Sequence, residues 1–547
     1  MFMKKNENNV FNTKDIFWAD KIAAQAIERA KEEKNIVTCR AAGSTSGAKH
    51  IGNFFDIVKA YIVHKAVLKK GFSSRVVYTH DDRDPLRTVP LRLPDLDGKW
   101  VLLDEESQKK ISKYLGYPYV SIPDPFDCCD SWARHFARVL EDGISAIGID
   151  DIEIYSTNDL YNEGRFDKYV MLALAKIDLS RKIIQKFQKT RKGDFIPFDA
   201  ICENCGRIIG RSIGFDLEKH AIKYECKLKA LAGKYKVEGC GHSGEAGFRH
   251  GKLPWTFEWP AQWVMFSTTF EPFGKEHAEG SWKIGQEIMR QIYESEPPIP
   301  HVYEFLLING EKMSARRGNA FIVQEMLEII EPEVFMYFYT KRSKKQRNVD
   351  MSNIHLLVDE FDRAEKLYFG AEEEKNETDK VNIMRMYESS MKELPAKLPV
   401  RIPYQLAAMI SSMYGHDQNT KNIAISFLKE FSEKDIDGID YRLSLANNWI
   451  ERVMPEMRLN INKMPDLALL SGKQKEALKE LDKNLHQKMS EDEINSLLYD
   501  VAKKSDLGKD FFRGCYLALI SQDHGPRLAT FIMAIGIDRV KRILSYV

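Results

Sequence analysis

Residues 35–47, NIVTCRAAGSTSG, lead into KHIGNFFDIVKAYIVHKAVLKKG (49–71) and then SRVVYTHDDRDPLRTVP (74–90). The first piece reads as a strand that runs into a loop. In the second, apolar residues recur at helical spacing up to Gly71, a good stop signal. The third opens with a β-branched run and breaks into charges and prolines, as a parallel strand does when it delivers a polar loop at its C-terminal end. Together they predict a β-α-β unit, the repeat of a nucleotide-binding sheet.

Outward from this unit the pattern changes twice. Residues from about 95 to 250 are irregular and carry Pro, Gly and every clustered cysteine, whereas 252–325 returns to apolar runs and glycine turns. The irregular stretch reads as an insertion that splits one α/β domain into halves. Beyond about 330 the chain is charged, helical in period and poor in glycine, as in KQKEALKELDKNLHQKM and EDEINSLLYDVAKK. Its C-terminal third is therefore expected to be all-helical.

A chain of 547 residues exceeds a single core, and its 44% hydrophobic and 11% aromatic content suits conventional globular domains. The 81 Lys+Arg nearly cancel the 80 Asp+Glu. A polyanion would have to be held by local basic patches, so net charge neither supports nor excludes RNA. No segment is apolar for long enough to span a membrane, and the basic start MFMKKNENNVFNTKD lacks the apolar stretch of a secretory signal. A cytoplasmic protein without a membrane partner is expected. In a reducing compartment its eight cysteines read as metal ligands rather than a disulfide framework, with Cys39 and Cys515 left over.

Two short motifs carry chemistry. His50-Ile51-Gly52-Asn53 lies where the first loop becomes a helix, a place where free backbone N–H groups and the helix dipole favour phosphate. His50 and Asn53 project from the same side of that turn, and Gly52 lets an adenine ring lie against the backbone. Lys312-Met313-Ser314-Ala315-Arg316-Arg317-Gly318-Asn319 is a basic, glycine-containing loop suited to closing over a triphosphate. Either motif alone fits a capping histidine or an exposed basic turn.

In this order, flanking an insertion, HIGN and KMSAR resemble the two ATP-binding signatures of class I aminoacyl-tRNA synthetases. The second departs from the usual form, which ends in Lys-Ser or Ser-Ser, so pyrophosphate contacts normally made there would pass to Arg316 or Arg317. FEPFGKEHAEGSWKIG (270–285) looks like the family's element beside the ribose and amino acid, with Gly274 for close backbone approach and Glu276 for ribose hydroxyls. GKLPWTFEWPAQWVMF (251–266), YVSIPDPFDCCDSWARHF, ICENCGRI and FFRGCYLALISQDHGPRLATFIMAIG are similar to class I lysyl-tRNA synthetases, from about residue 18 to the C-terminus.

That resemblance implies a lysine–tRNA ligase that uses ATP, Mg²⁺ with the ATP, and tRNA(Lys), as a monomer. His50, Asn53 and Lys312 would be catalytic; His50, Gly52, Asn53, Gly274, Glu276, Lys312, Met313, Ser314 and Arg316 would bind ATP. Ala42, Ser44, Trp255, His277 and Tyr303 would bind lysine, the aromatics walling its aliphatic stem. Asp81, Asp82 and Glu258 are candidates to meet the ammonium. The implied fold is a Rossmann-type doubly wound parallel sheet split by a zinc-bearing insertion and followed by an all-α anticodon-binding bundle. Its parts are 1–110 and 251–325 (catalytic halves), 111–250 (insertion), 326–400 (helical connector) and 401–547 (anticodon-binding helices).

Cys202 and Cys205 form a two-residue knuckle that can bind one structural Zn²⁺, and Cys226, Cys240 and His242 follow. Four ligands suffice; Cys226 and His242 are expected to complete the site, with Cys240 the main rival. Asp124, Cys128, Cys129 and His135 form a tighter group whose spacing resembles a second zinc site of the same family.

Overall fold

The computed structural model describes residues 16–188, 193–208, 210–227, 229–230, 236–313, 320–341 and 346–547. They fall into two compact units. One runs to Leu327 and resumes over Pro332–Ala396; the other is Glu328–Glu331 with Lys397–Val547.

The first unit is built on five parallel strands: β1 (Val37–Ser44), β2 (Ser74–Asp81), β3 (Glu153–Ser156), β4 (Phe270–Gly274) and β5 (Ile299–Tyr303). Their order in the sheet is β5-β4-β1-β2-β3. The chain moves from β1 outward to β3, then returns on the other side through β4 to β5. Neighbours β1 and β4 are therefore the switch point of the topology, where a ligand crevice opens beyond the carboxyl ends of the strands. β1 and β2 pair along their full length, from Val37↔Ser74 to Ser44↔Asp81.

Helix α1 (Trp18–Glu32) precedes the sheet, and α2 (Phe54–Lys69) follows β1. α2 is buried nearly all round because β1, β4, α1 and the helix Pro332–Thr340 all pack on it. Even Lys59 is enclosed there. Its ammonium donates to the carbonyls of Tyr339 (2.8 Å) and Lys341 (2.9 Å) and lies 4.2 Å from the centre of the Trp18 ring, which offsets the desolvation. Gly71 ends this turn of chain at φ 77°, a conformation that favours glycine.

β3 comes from within 111–250, the stretch read as an insertion. At four residues, half-buried on the sheet edge, EIYS is too short to show a strand period. The rest of that stretch holds helices such as Trp132–Ala146 and Ile177–Phe187, and an antiparallel sheet of Gly210–Asp216, Ala221–Cys226 and Ser243–Gly247. A separate aromatic core of Trp259, Trp263, Phe273, Trp282 and Met289 packs behind β4.

The second unit contains helices and no strand, from Tyr404–Tyr414 to Ile537–Leu544. Capping boxes at Ser471 and Ser490 start two of them. A buried ion pair, Arg442 Nε to Glu331 Oε1 at 2.5 Å, lies within this unit. Among the described residues no helix is long and apolar enough to cross a membrane.

Candidate active site

At the carboxyl ends of β1, β4 and β5 lies a cavity of about 440 Å³. Every described residue expected to bind ATP or lysine lines it: Ala42, Ser44, His50, Gly52, Asn53, Trp255, Gly274, Glu276, His277, Tyr303, Lys312 and Met313. Ser314, Arg316 and Arg317 lie outside the described residues.

The HIGN turn is tied to the chain just beyond the KMSAR segment. Ile51 N–H donates to Phe321 O (2.8 Å), and His50 pairs with Ile322 in an isolated antiparallel bridge. His50 Nδ1 accepts the Gly52 N–H at 3.1 Å. Burial, then the neighbouring Lys49, pushes the imidazole pKa down to about 4, with Lys312 adding to the shift. Near pH 7 the ring is therefore neutral. With Nδ1 accepting, Nε2 carries the proton and is the donor left for a ligand.

A side chain at Gly52 would crowd the site: a Cβ would come within 2.9 Å of Met313 Cε and 3.1 Å of the His50 ring, so the Met313 tip and the imidazole would have to shift. Asn53 occupies the N-cap of α2 but makes no side-chain capping bond, so its amide is available. Lys312 sits on the short strand Glu311–Lys312, its ammonium 3.7 Å from the centre of the Phe305 ring. A Cβ on Gly274 would meet the Glu276 carboxylate at 2.4 to 2.7 Å, so that carboxylate lies directly over the end of β4.

The opposite wall is aromatic. Trp255 stacks on Trp259 with centroids 5.1 Å apart, and His277 packs 6.4 Å from Trp255. The Trp255 indole N–H is buried without a hydrogen-bond partner. Tyr303 stacks on Phe55 and donates its hydroxyl to Asp56 Oδ1 at 2.6 Å. Burial raises the Asp56 pKa to about 8; Glu271 and Glu276 reinforce it, while the Tyr303 hydrogen bond and Lys49 oppose it.

Of the three acids considered for an ammonium, Asp81 alone lines the cavity. Asp82 accepts from Ser156 Oγ (2.5 Å), Thr157 Oγ1 (3.0 Å) and Asn158 N (2.8 Å). Glu258 is fully buried between Lys252 Nζ (3.0 Å) and the Tyr161 hydroxyl (2.7 Å). Both are occupied by internal partners. Asp56, Asp84, Lys49 and Phe305 also line the cavity and are absent from the expected set. Asp56 was within reach of sequence reasoning, since it stands three residues after Asn53 on the same face of α2.

Beneath the cavity Arg40 and Glu271 form a buried ion pair between β1 and β4, at 2.8 Å. Arg40 also donates to Thr79 Oγ1 (2.6 Å) and to Gln262, and Glu271 accepts from Trp259 Nε1 (2.8 Å). Such a pair holds its place through these added bonds, because desolvation alone would cancel much of its attraction.

Two thiol clusters lie away from the cavity. The Sγ atoms of Cys202, Cys205, Cys226 and Cys240 are all within 4.8 Å of one another, with Cys202···Cys240 and Cys205···Cys226 at 3.6 Å. Tetrahedral Zn–S bonds of about 2.3 Å would set sulfurs about 3.8 Å apart, so the four fit that ion. The expectation that His242 completes the set is corrected. Gly241 turns at φ 76° with its N–H on Cys226 O (3.0 Å), which puts Cys240 in the cluster and carries His242 past it. His242 Nε2 instead meets Glu203 Oε1 at 2.7 Å.

Asp124, Cys128, Cys129 and His135 also bring their ligand atoms within 4.8 Å of one another. His135 Nε2 faces Pro94 O at 3.0 Å, a bond that leaves Nδ1 toward Cys128 Sγ (3.3 Å) and Asp124 (3.2 Å). A backbone acceptor on the far nitrogen is the usual arrangement behind a metal-binding histidine.

Comparison with known proteins accords with this geometry. The family described as tRNA synthetases class I (K) matches residues 16–393. The lysine–tRNA ligase of Natronomonas pharaonis is 37% identical over 534 residues, covering 96% of this chain and 97% of the relative. That of Haloarcula marismortui is 37% identical over 522 residues, covering 94% of each. That of Halobacterium salinarum is 34% identical over 523 residues, again covering 94% of each. On the family match and on full-length relatives above 30% identity, the chain belongs to the class I tRNA synthetases of the (K) family.

Proposed function

We propose that this protein is a lysine–tRNA ligase, activating lysine with ATP and passing it to the terminal ribose of tRNA(Lys). One observation carries the reading: a single cavity joins the HIGN turn and Lys312 to an aromatic wall that ends on a carboxyl group. The first half suits a nucleotide triphosphate and the second an amino acid with a long stem and a cationic tip.

In this reading the lysine stem lies along Trp255 and His277, and its ammonium reaches Asp56, held ready by Tyr303. Arrival of the cation favours the charged carboxylate, which burial by itself disfavours. The partnerless Trp255 N–H and the end of β1 at Ala42 and Ser44 supply polar contacts to the amino acid. Glu276 accepts from the ribose, and adenine lies against Gly52.

Two steps follow. The lysine carboxylate attacks the α-phosphorus in line and expels pyrophosphate; the terminal ribose hydroxyl of tRNA then adds to the adenylate carbonyl, losing its proton, and AMP leaves as the ester forms. The work is positioning and charge stabilisation. Neutral His50 and Asn53 donate hydrogen bonds to phosphate oxygens, and Lys312 supplies positive charge. Mg²⁺ bound with ATP would neutralise the phosphates. Ser314 and Arg316 complete the proposed phosphate contacts.

Zn²⁺ is proposed at Cys202, Cys205, Cys226 and Cys240, and at Asp124, Cys128, Cys129 and His135, as a structural ion that staples short irregular segments. The partition into catalytic halves, insertion, connector and anticodon-reading helices at 401–547 belongs to the same proposal. Aminoacylation of total tRNA, offering each amino acid in turn, tests it. Charging with any amino acid other than lysine, or with none, would overturn it.

A further inference from the structure

Two cations of the cavity, Lys49 and Arg87, have no role in the scheme above, and Lys49 is the one set over β1. Lys49 precedes His50, and its side chain bends back over the carboxyl end of β1. Its Nζ and Cε lie 3.0 and 3.1 Å from the point a Cβ on Gly43 would occupy, and the Tyr78 hydroxyl is 2.6 Å from the same point. The bare backbone of Gly43 thus makes room for the ammonium at the switch point, where the reacting centre of a doubly wound sheet belongs.

Three carboxyl groups surround it at longer range: Asp81 at the end of β2, Asp84 beyond it and Asp56 in the first turn of α2. Among the described residues no carboxylate stands within 4 Å of it as an ion-pair partner. Burial lowers the Lys49 pKa from the usual lysine range, while these three acids act to raise it. Burial outweighs the three acids, so the charged form of Lys49 lacks a close counter-ion and is favoured by the arrival of one. An anion entering over β1 would complete its coordination.

The reaction needs such a charge. His50, neutral near pH 7, can donate a hydrogen bond but adds no net charge. Lys312 reaches the cavity from the separate strand Glu311–Lys312. Resting on the lysine-ligase reading, we propose that Lys49 is a further catalytic residue of adenylate formation, its ammonium contacting the α-phosphate of ATP as the amino acid attacks. In that step the carboxylate oxygen bonds to the α-phosphorus. The bond from phosphorus to the bridging oxygen breaks, and its electron pair leaves with pyrophosphate. Lys49 keeps its protons throughout.

The test is lysine-dependent ATP–pyrophosphate exchange on the full chain. Lys49→Met is expected to lower kcat by about 10²-fold, the scale seen when one fixed donor to a developing charge is removed, with KM for lysine and ATP within about threefold of the parent. Lys49→Arg is expected to recover at least a tenth of the parental kcat, since it restores the charge. A kcat for Lys49→Met within threefold of the parent overturns the proposal. So does a loss confined to KM for lysine, which would make Lys49 a mere counter-charge to the three acids. Lys49→Gln carries the same criteria if Lys49→Met loses its folded circular dichroism. Parent protein without lysine-dependent exchange would sink the ligase reading itself; an active parent with an equally active Lys49→Met sinks only this assignment.

Discussion

Asp56→Asn keeps the shape of the side chain, and the new amide oxygen can still accept from Tyr303, so the substitution removes little beyond a charge. An ammonium and a carboxylate about 4 Å apart at an effective dielectric near 20 attract by about 4 kcal/mol. The carboxyl is not free to use all of this at neutral pH. With its pKa at about 8, it must first lose a proton, which at pH 7 costs about 1.4 kcal/mol. The net loss on substitution is about 2.5 kcal/mol, or roughly 70-fold in lysine affinity.

The sign with pH follows from the same shift. The binding form is the carboxylate, so parental affinity should rise about tenfold from pH 6 to pH 7 and level off above the raised pKa, whereas the Asn variant should be flat over that range. Titration of lysine alone, followed by calorimetry or by Trp fluorescence from pH 6 to 8.5, measures both. An Asn variant within threefold of the parent at pH 7, or one with the parental slope, would refute the placing of the ammonium at Asp56.

Lys312→Ala should lower kcat for exchange by about 10²–10³-fold while lysine affinity, measured without ATP, stays within twofold, because its charge is needed as phosphate charge develops. Gly52→Ala places a methyl 2.9 Å from Met313 Cε, so exchange should fall at least tenfold with the Tm shifted by only a few degrees, as read by scanning calorimetry. Serine at both Cys202 and Cys205 should remove about one equivalent of zinc per chain by metal analysis and lower soluble yield, since an alcohol is a poor substitute for a thiolate ligand. Unchanged zinc would defeat the four-cysteine site.

The β1-α2-β2 unit was legible because a long apolar helix between two β-branched runs leaves little choice of structure, and Gly71 marks its end. β3 was not, since four half-buried residues carry no period. Trp255, His277 and Tyr303 are individually ambiguous aromatics that the family resemblance singled out; nothing in their spacing would have gathered them. Asp56 escaped because a helix-first-turn acid is ordinary, and its neighbour Tyr303 comes from β5, far away in sequence. The choice between Cys240 and His242 turned on one positive φ at Gly241, which a list of candidate ligands does not contain. Lys49 was hidden beside the more conspicuous His50.

The bridge of Ile51 and His50 to Phe321 and Ile322 has a bearing on biosynthesis. The turn that begins the site leaves the ribosome early, but its hydrogen-bond partners follow roughly 270 residues later, which at about 5–20 residues per second is a wait of roughly 15–55 seconds. Throughout that interval the HIGN backbone has no docking strand, and the buried lysine of α2 lacks the carbonyls of Tyr339 and Lys341 that receive it. A ribosome-bound chain is therefore unable to activate an amino acid until nearly two thirds of it has emerged, and this half-built sheet is the stage at which chaperones would find exposed α2 to hold.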